Sequence, residues 1–173
     1  MKSFGELLTL MCREAEPSSL FEFKTRFMAT NHSVRVTPKV IAEHFFSSVE
    51  DIDLQETFCV YCLDMKCRII NWKPLFKGTV NVCNVAQRDI FRFAIMENAV
   101  SVIVAHNHPT GDLIPSKDDY SLTKRLVLSG EIIGIPVKDH IIVSGKLGGD
   151  FETRFLSLYE TGDIQKIKEA KDG

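Results

Sequence analysis

Apolar residues change their spacing several times along this chain, and each change marks an expected element. Residues 3–30 predict one or two short helices, broken near Pro17-Ser18-Ser19, and Asn31-His32-Ser33 reads as a turn or linker. Thr37-Pro38 offers an N-cap followed by proline at the first helical position, so a helix is predicted through about Phe46. His44 on that helix reads as a surface or packing residue. From Glu56 the pattern shifts. Thr57 to Leu63 is apolar on both faces, as in a strand covered from both sides. Asp64-Met65-Lys66 predicts a hairpin turn and Arg68 to Trp72 the returning strand. Leu75 to Val82, with Gly78 inside, predicts a third strand or strand-like connection. Asn84 can cap a helix running to about Glu97, with Ile90, Phe93, Ala94 and Glu97 on one stripe. Val100 to His106 is a buried strand, and Pro109, Gly111 and Pro115 shape the loop after it. Ser116 opens a helix ending near Gly130, read as its C-cap. Val137 to Val143 is the last core strand, and from Thr161 the chain turns polar and Lys-rich. Strands alternating with helices in this order predict an α/β domain.

Composition narrows the class. With 173 residues, 45% hydrophobic and 25% charged, the chain suits one soluble domain with a sizeable core plus a short extension. No stretch reaches the ~20 apolar residues that span a bilayer, so no membrane partner is expected. The N-terminal apolar patch is interrupted by Cys12-Arg13-Glu14-Ala15-Glu16 before a cleavage-site pattern, which points to the cytoplasm. Five cysteines, Cys12, Cys59, Cys62, Cys67 and Cys83, are an odd set without a secretory signal and argue against a disulfide framework. Cys59 and Cys62 have CxxC spacing, but within a strand they face opposite sides and read as apolar packing. Net charge is −2. Lys117, Lys124, Arg125 and Lys138 could form a local basic face, though a solvated surface is the simpler reading. Direct DNA binding is possible but not supported by charge.

The candidate chemistry lies at the end of the buried strand. His106 and His108, two residues apart, project to one side of it. Asp119 follows in the first turn of the next helix. A His-x-His pair alone is weak, and Ser116-x-x-Asp119 alone is a capping box. Together they converge: a capped first turn would fix the carboxylate beside both imidazoles. Two nitrogens and one oxygen leave a fourth tetrahedral position on zinc open, the catalytic arrangement. Iron and manganese can use similar ligands. A hydrolase also needs a base, and the upstream acids are Glu50, Glu56 and Glu97. Glu56 leads modestly, because an acid entering a buried strand is costly to place. Asp139 and His140 alternate to opposite strand faces and read as structural, for example as a hydrogen-bonded partner beneath the site.

His106-x-His108-Pro109, then Ser116-x-x-Asp119, resembles the JAMM (MPN+, JAB) metalloprotease motif. More narrowly, His106-Asn107-His108-Pro109-Thr110-Gly111-Asp112 with Pro115-Ser116 resembles the bacterial RadC family. Arg88, Asn98-Ala99, Thr123-Lys124-Arg125-Leu126 and Asp139-His140-Ile141-Ile142-Val143 extend the likeness. It covers roughly residues 37–162, leaving 1–36 as an N-terminal helical extension and 163–173 as a polar C-terminal tail. The resemblance implies a mixed curved sheet flanked by helices, the JAB/MPN (cytidine deaminase-like) architecture. It implies Zn2+ held by His106, His108 and Asp119, with Glu56 as general acid/base and Ser116 supporting the tetrahedral intermediate. The implied activity is that of a zinc metallohydrolase, peptidase- or isopeptidase-like, acting on a peptide or other amide. The alternative is a DNA repair-associated factor acting on or near DNA, a family label that does not follow from these residues. Many relatives carry serine where this chain has Thr110. Fuller-length relatives begin with a helix-hairpin-helix region, whose paired glycine-containing hairpins residues 1–36 lack.

Overall fold

The computed structural model describes residues 35–78, 85–146 and 150–170. The helices expected within 3–30, His32, Asn84, Cys12 and Cys83 lie outside them, and the helix expected to be capped by Asn84 starts instead at Gln87, with Ala86 at its N-cap and no side-chain cap. The described chain runs α1 (Pro38–Ser48), β1 (Glu56–Leu63), β2 (Ile69–Gly78), α2 (Gln87–Met96), β3 (Ser101–His108), α3 (Lys117–Ile133), β4 (Val137–Ser144), β5 (Phe155–Ser157) and α4 (Asp163–Glu169). The strands form one mixed sheet in the order β2-β1-β3-β4-β5. The expected α/β architecture of a mixed sheet between helices is thus present.

The sheet is apolar on both faces because helices cover both. Phe58, Val60, Cys62, Val102 and Val104 pack with Ile90 and Phe91 of α2, Leu122 and Leu126 of α3, and Ile164 of α4. On the other face, Cys59, Tyr61, Ile103, Ala105 and Ile141 pack with Ile41 and Phe45 of α1. Cys59 and Cys62 therefore belong to different faces, as alternation predicts. Burial pushes the Cys62 thiol up to about 12, with the Glu97 charge adding to it. The helix expected from Thr37 is capped as predicted: the Thr37 hydroxyl accepts from Val40 N–H, and Pro38 holds the first position. His44 is buried in packing, 3.2 Å from the Tyr61 hydroxyl and edge-on to Trp72.

Three expectations need correction. First, the returning strand and the third strand are one element, β2, continuous from Ile69 through Gly78. A register shift beside Pro74 leaves Leu75 of β2 as an extra residue, and an edge strand tolerates the proline because its outward side needs no donor. Second, α3 does not end at Gly130 but runs to Ile133, and Gly134, at φ 81°, is the left-handed residue that stops it. Gly130 instead admits the returning chain: a Cβ there would stand 2.6 Å from the Ile135 carbonyl oxygen. Third, residues 163–169 of the expected polar tail form α4, whose Ile164 is buried in the core. Ile164 and the half-buried Ile167 anchor this helix, too short a run to show a helical period.

Candidate metal centre

Sheet order brings the chemistry together. β3 is central, with β1 antiparallel on one side and β4 parallel on the other. Its last residues deliver His106 and His108 to one face, and the loop from Pro109 to Pro115 returns the chain to α3. That loop is pinned at its base: Gly111 N–H and Gly145 N–H both donate to the His108 carbonyl, at 2.9 and 2.8 Å. Gly111 takes φ 83°, a conformation glycine adopts without steric penalty.

At the start of α3, Ser116 and Asp119 form a capping box. Asp119 N–H donates to Ser116 Oγ at 3.1 Å. Ser116 N–H and Oγ–H both donate to Asp119 Oδ2, at 2.7 and 2.6 Å. All of the cap therefore falls on Oδ2. Asp119 Oδ1 is left buried with no hydrogen-bond donor and faces His106 Nε2 at 3.1 Å. The capping and metal readings of this acid are compatible, one on each oxygen.

The two imidazoles complete the cluster. Their Nε2 atoms are 2.9 Å apart, and His108 Nε2 lies 3.4 Å from Asp119 Oδ2. One ligand atom from each of His106, His108 and Asp119 falls within 4.8 Å of the others, a group that could hold a metal ion. Ligand atoms on a tetrahedral ion with ~2.0–2.1 Å bonds stand roughly 3.3 Å apart, so the spacing fits. The far nitrogens are already occupied. His108 Nδ1 donates to the Asp112 carbonyl at 2.7 Å, and His106 Nδ1 lies 2.8 Å from His140 Nε2. A neutral His108 thus turns a bare Nε2 lone pair toward the Asp119 carboxylate and His106 Nε2.

A proton competes with a cation for this place: once protonated, an imidazole can donate through Nε2 to Asp119, and each then favours the other's charge. The hydrogen bond to Asp119 raises His108, against burial that lowers it, and the charge of Glu56 adds to the rise. Burial pushes Asp119 up, but His106 and His108, when protonated, together with the hydrogen bonds from Ser116 outweigh it and hold the carboxylate well below its usual range. Burial lowers His140 well below the ordinary imidazole value, keeping it neutral.

Glu56 is half-buried at the start of β1. The ladder pairs Phe58 with His106, and continuing it two residues sets Glu56 opposite His108 on the same face. It stands beside the cluster without being part of it. Ser116 is exposed and gives its hydroxyl proton to Asp119 Oδ2, so any role toward substrate requires that hydroxyl to rotate while Ser116 N–H keeps its hold.

Two further residues, present in the sequence motifs, have roles that the sequence did not reveal. Asn107 sits between the histidines, facing the opposite side and fully buried. Its Oδ1 accepts from Thr57 N–H at 2.7 Å, and its Nδ2 donates to the Ile52 and Gln55 carbonyls at 2.6 and 2.8 Å. It thereby ties the segment leading into Glu56 to the histidine strand. A polar residue inside an otherwise apolar strand was the available signal. Thr123, one turn after Asp119, reaches His140 at 2.6 Å, and only α3's orientation reveals it. His140 itself lies beneath the site, as expected. Asp139 turns to the other face, where it accepts from Ser157 Oγ–H and Tyr159 N–H.

A family profile described as a RadC-like JAB domain matches residues 27–162 of this chain. A UPF0758 protein of Staphylococcus aureus (strain bovine RF122) is 39% identical over 135 residues, covering 78% of this chain and 56% of the relative. A UPF0758 protein of Clostridium beijerinckii is 36% identical over 148 residues, covering 85% of this chain and 61% of the relative. The chain spans somewhat over half the length of these relatives.

Proposed function

Because this chain belongs to the family of RadC-like JAB domains, we propose that it is a zinc-dependent metallohydrolase that cleaves a peptide, isopeptide or related amide. The observation that carries the proposal is the buried, donorless Oδ1 of Asp119 facing His106 Nε2, with His108 Nε2 beside that nitrogen and both rings held from behind. Without a cation, this cluster sets lone pairs and a carboxylate oxygen against one another in a buried place, which is costly. Two imidazoles and a carboxylate suit zinc. Zinc held there would supply Lewis acidity toward water and toward a carbonyl oxygen.

The remaining work falls to the chain. Glu56, opposite His108, would take a proton from water and return it to the departing amine nitrogen. Ser116 Oγ–H, rotated from Asp119 Oδ2 toward substrate, would donate to the developing oxyanion. Asp119 would stay oriented meanwhile by Ser116 N–H. Asn107 would hold the Glu56 segment in register.

Zinc content of the purified protein tests this first. About one zinc per chain is expected in the wild type, and none in a His106→Ala/His108→Ala double variant. Glu56→Gln should retain zinc and lose turnover on a library of quenched fluorescent peptides and isopeptides. A wild type that takes up no stoichiometric metal would sink the proposal.

A further inference from the structure

Behind the histidine pair, a second row of polar groups runs into the protein. His106 Nδ1 is 2.8 Å from His140 Nε2, and His140 Nδ1 is 2.6 Å from Thr123 Oγ1. Thr123 Oγ1 is in turn 2.7 Å from the Asp119 carbonyl oxygen. His140 and Thr123 are fully buried, so water does not decide where the protons lie.

The row has only one consistent direction. Thr123 carries one hydroxyl proton and lies close to two partners. A carbonyl oxygen can only accept, so two oxygens 2.7 Å apart require that proton between them. Thr123 therefore donates to Asp119, the i−4 bond that helical threonines commonly make. Its lone pair is left to accept from His140, which places the His140 proton on Nδ1. A neutral His140 then has a bare Nε2, and His106 must bring the proton to that contact on its own Nδ1. His106 Nε2 is consequently bare. The reverse order would leave the Thr123–Asp119 contact without a proton and would put a hydrogen on His106 Nε2, in the middle of the cluster.

We propose that Thr123 and His140 are positioning residues that fix His106 in its Nδ1–H tautomer and so present its Nε2 lone pair to a divalent cation. The inference rests on the metal-centre reading above. The same helix turn that supplies Asp119 as a ligand also supplies, four residues on, the hydroxyl that sets the histidine's tautomer. Partners behind a ligating histidine typically govern metal affinity by roughly 10–100-fold.

Two readouts test it. The first is long-range proton–nitrogen correlation of the imidazole rings in metal-free protein at alkaline pH, where the rings are neutral. His106 should be Nδ1-protonated in the wild type. In Thr123→Val, which keeps shape but removes the acceptor, the His106 population should shift toward Nε2–H. The second is zinc affinity by chelator competition. Thr123→Val and His140→Leu should each bind roughly 10–100-fold more weakly than the wild type. His140→Gln, whose carboxamide oxygen can accept from His106 Nδ1–H, should regain most of that loss. If His140→Leu does not fold, Thr123→Val and the spectrum still decide. Wild-type affinity in Thr123→Val, or an Nε2–H His106 in the wild type, would overturn the relay. A wild type that takes up no zinc overturns the metal-centre reading instead, and the tautomer spectrum then judges the relay by itself.

Discussion

Replacing Asn107 with leucine, which has about the same volume, should separate the histidine strand from the segment that carries Glu56. Three bonds disappear: the one from Thr57 N–H at 2.7 Å and those to the Ile52 and Gln55 carbonyls at 2.6 and 2.8 Å. An unsatisfied buried polar group costs about 1–3 kcal/mol. Thr57 is itself buried, so its N–H should bear that cost in full. Gln55 is exposed, and its carbonyl can regain water as the segment lifts. The total should therefore settle near about 3 kcal/mol, below the sum of three full penalties. In urea, that is a midpoint roughly 1–2 M lower with an unchanged slope. Hydrogen exchange at the Thr57 amide should accelerate beyond what the global loss explains. Zinc uptake should survive, because His106 and His108 stay on β3, while amide turnover falls as Glu56 loses its register. As a control, Thr57→Val removes a hydroxyl that is buried with no partner and should be neutral or stabilising. A stability loss below about 1 kcal/mol for Asn107→Leu, or unchanged Thr57 exchange, would refute the clamp.

Asp139 and Gly145 yield further tests. Burial raises Asp139 from 3.8 to about 6 despite hydrogen bonds from Ser157, Tyr159 and His140. A raised carboxyl favours the protonated native state, so its contribution of roughly 3 kcal/mol is present below about pH 4 and lost as pH rises to about 6. Asp139→Asn should abolish that part of the pH slope and match or exceed wild-type stability at neutral pH, and urea midpoints that keep the wild-type slope would contradict this. Gly145→Ala should lower the thermal midpoint by the equivalent of about 2 kcal/mol or more, because its Cβ would overlap the Ile52 carbonyl and stand 2.7 Å from Pro109 Cα and 2.8 Å from the His108 carbonyl oxygen. All three neighbours are backbone and cannot rotate away, so a neutral result would mean the turn re-forms elsewhere.

The short-range chemistry was legible in the sequence by itself. The same-face histidines follow from strand alternation, and the Ser116–Asp119 cap follows from helix geometry, both set within a few residues. The buried β1 and β3 strands announced themselves as apolar runs, and Glu56 led the upstream acids only modestly, as an acid placed where acids are costly. Helix ends were less secure. Gly130 offered a stop that α3 ignores, because its missing Cβ serves a tertiary contact with Ile135. The tertiary structure alone decided what meets across long separations. The sheet order β2-β1-β3-β4-β5 sets Glu56 beside His108 from one neighbouring strand and His140 beneath His106 from the other. It also lets Asn107 bond to residues 50 and more positions away. The reason is physical: backbone periodicity fixes which way a side chain points, but strand pairing and helix packing fix what it points at. The sequence therefore specified two histidines and an acid on one side, and the fold turned them into a closed set with one oxygen capped and one left bare.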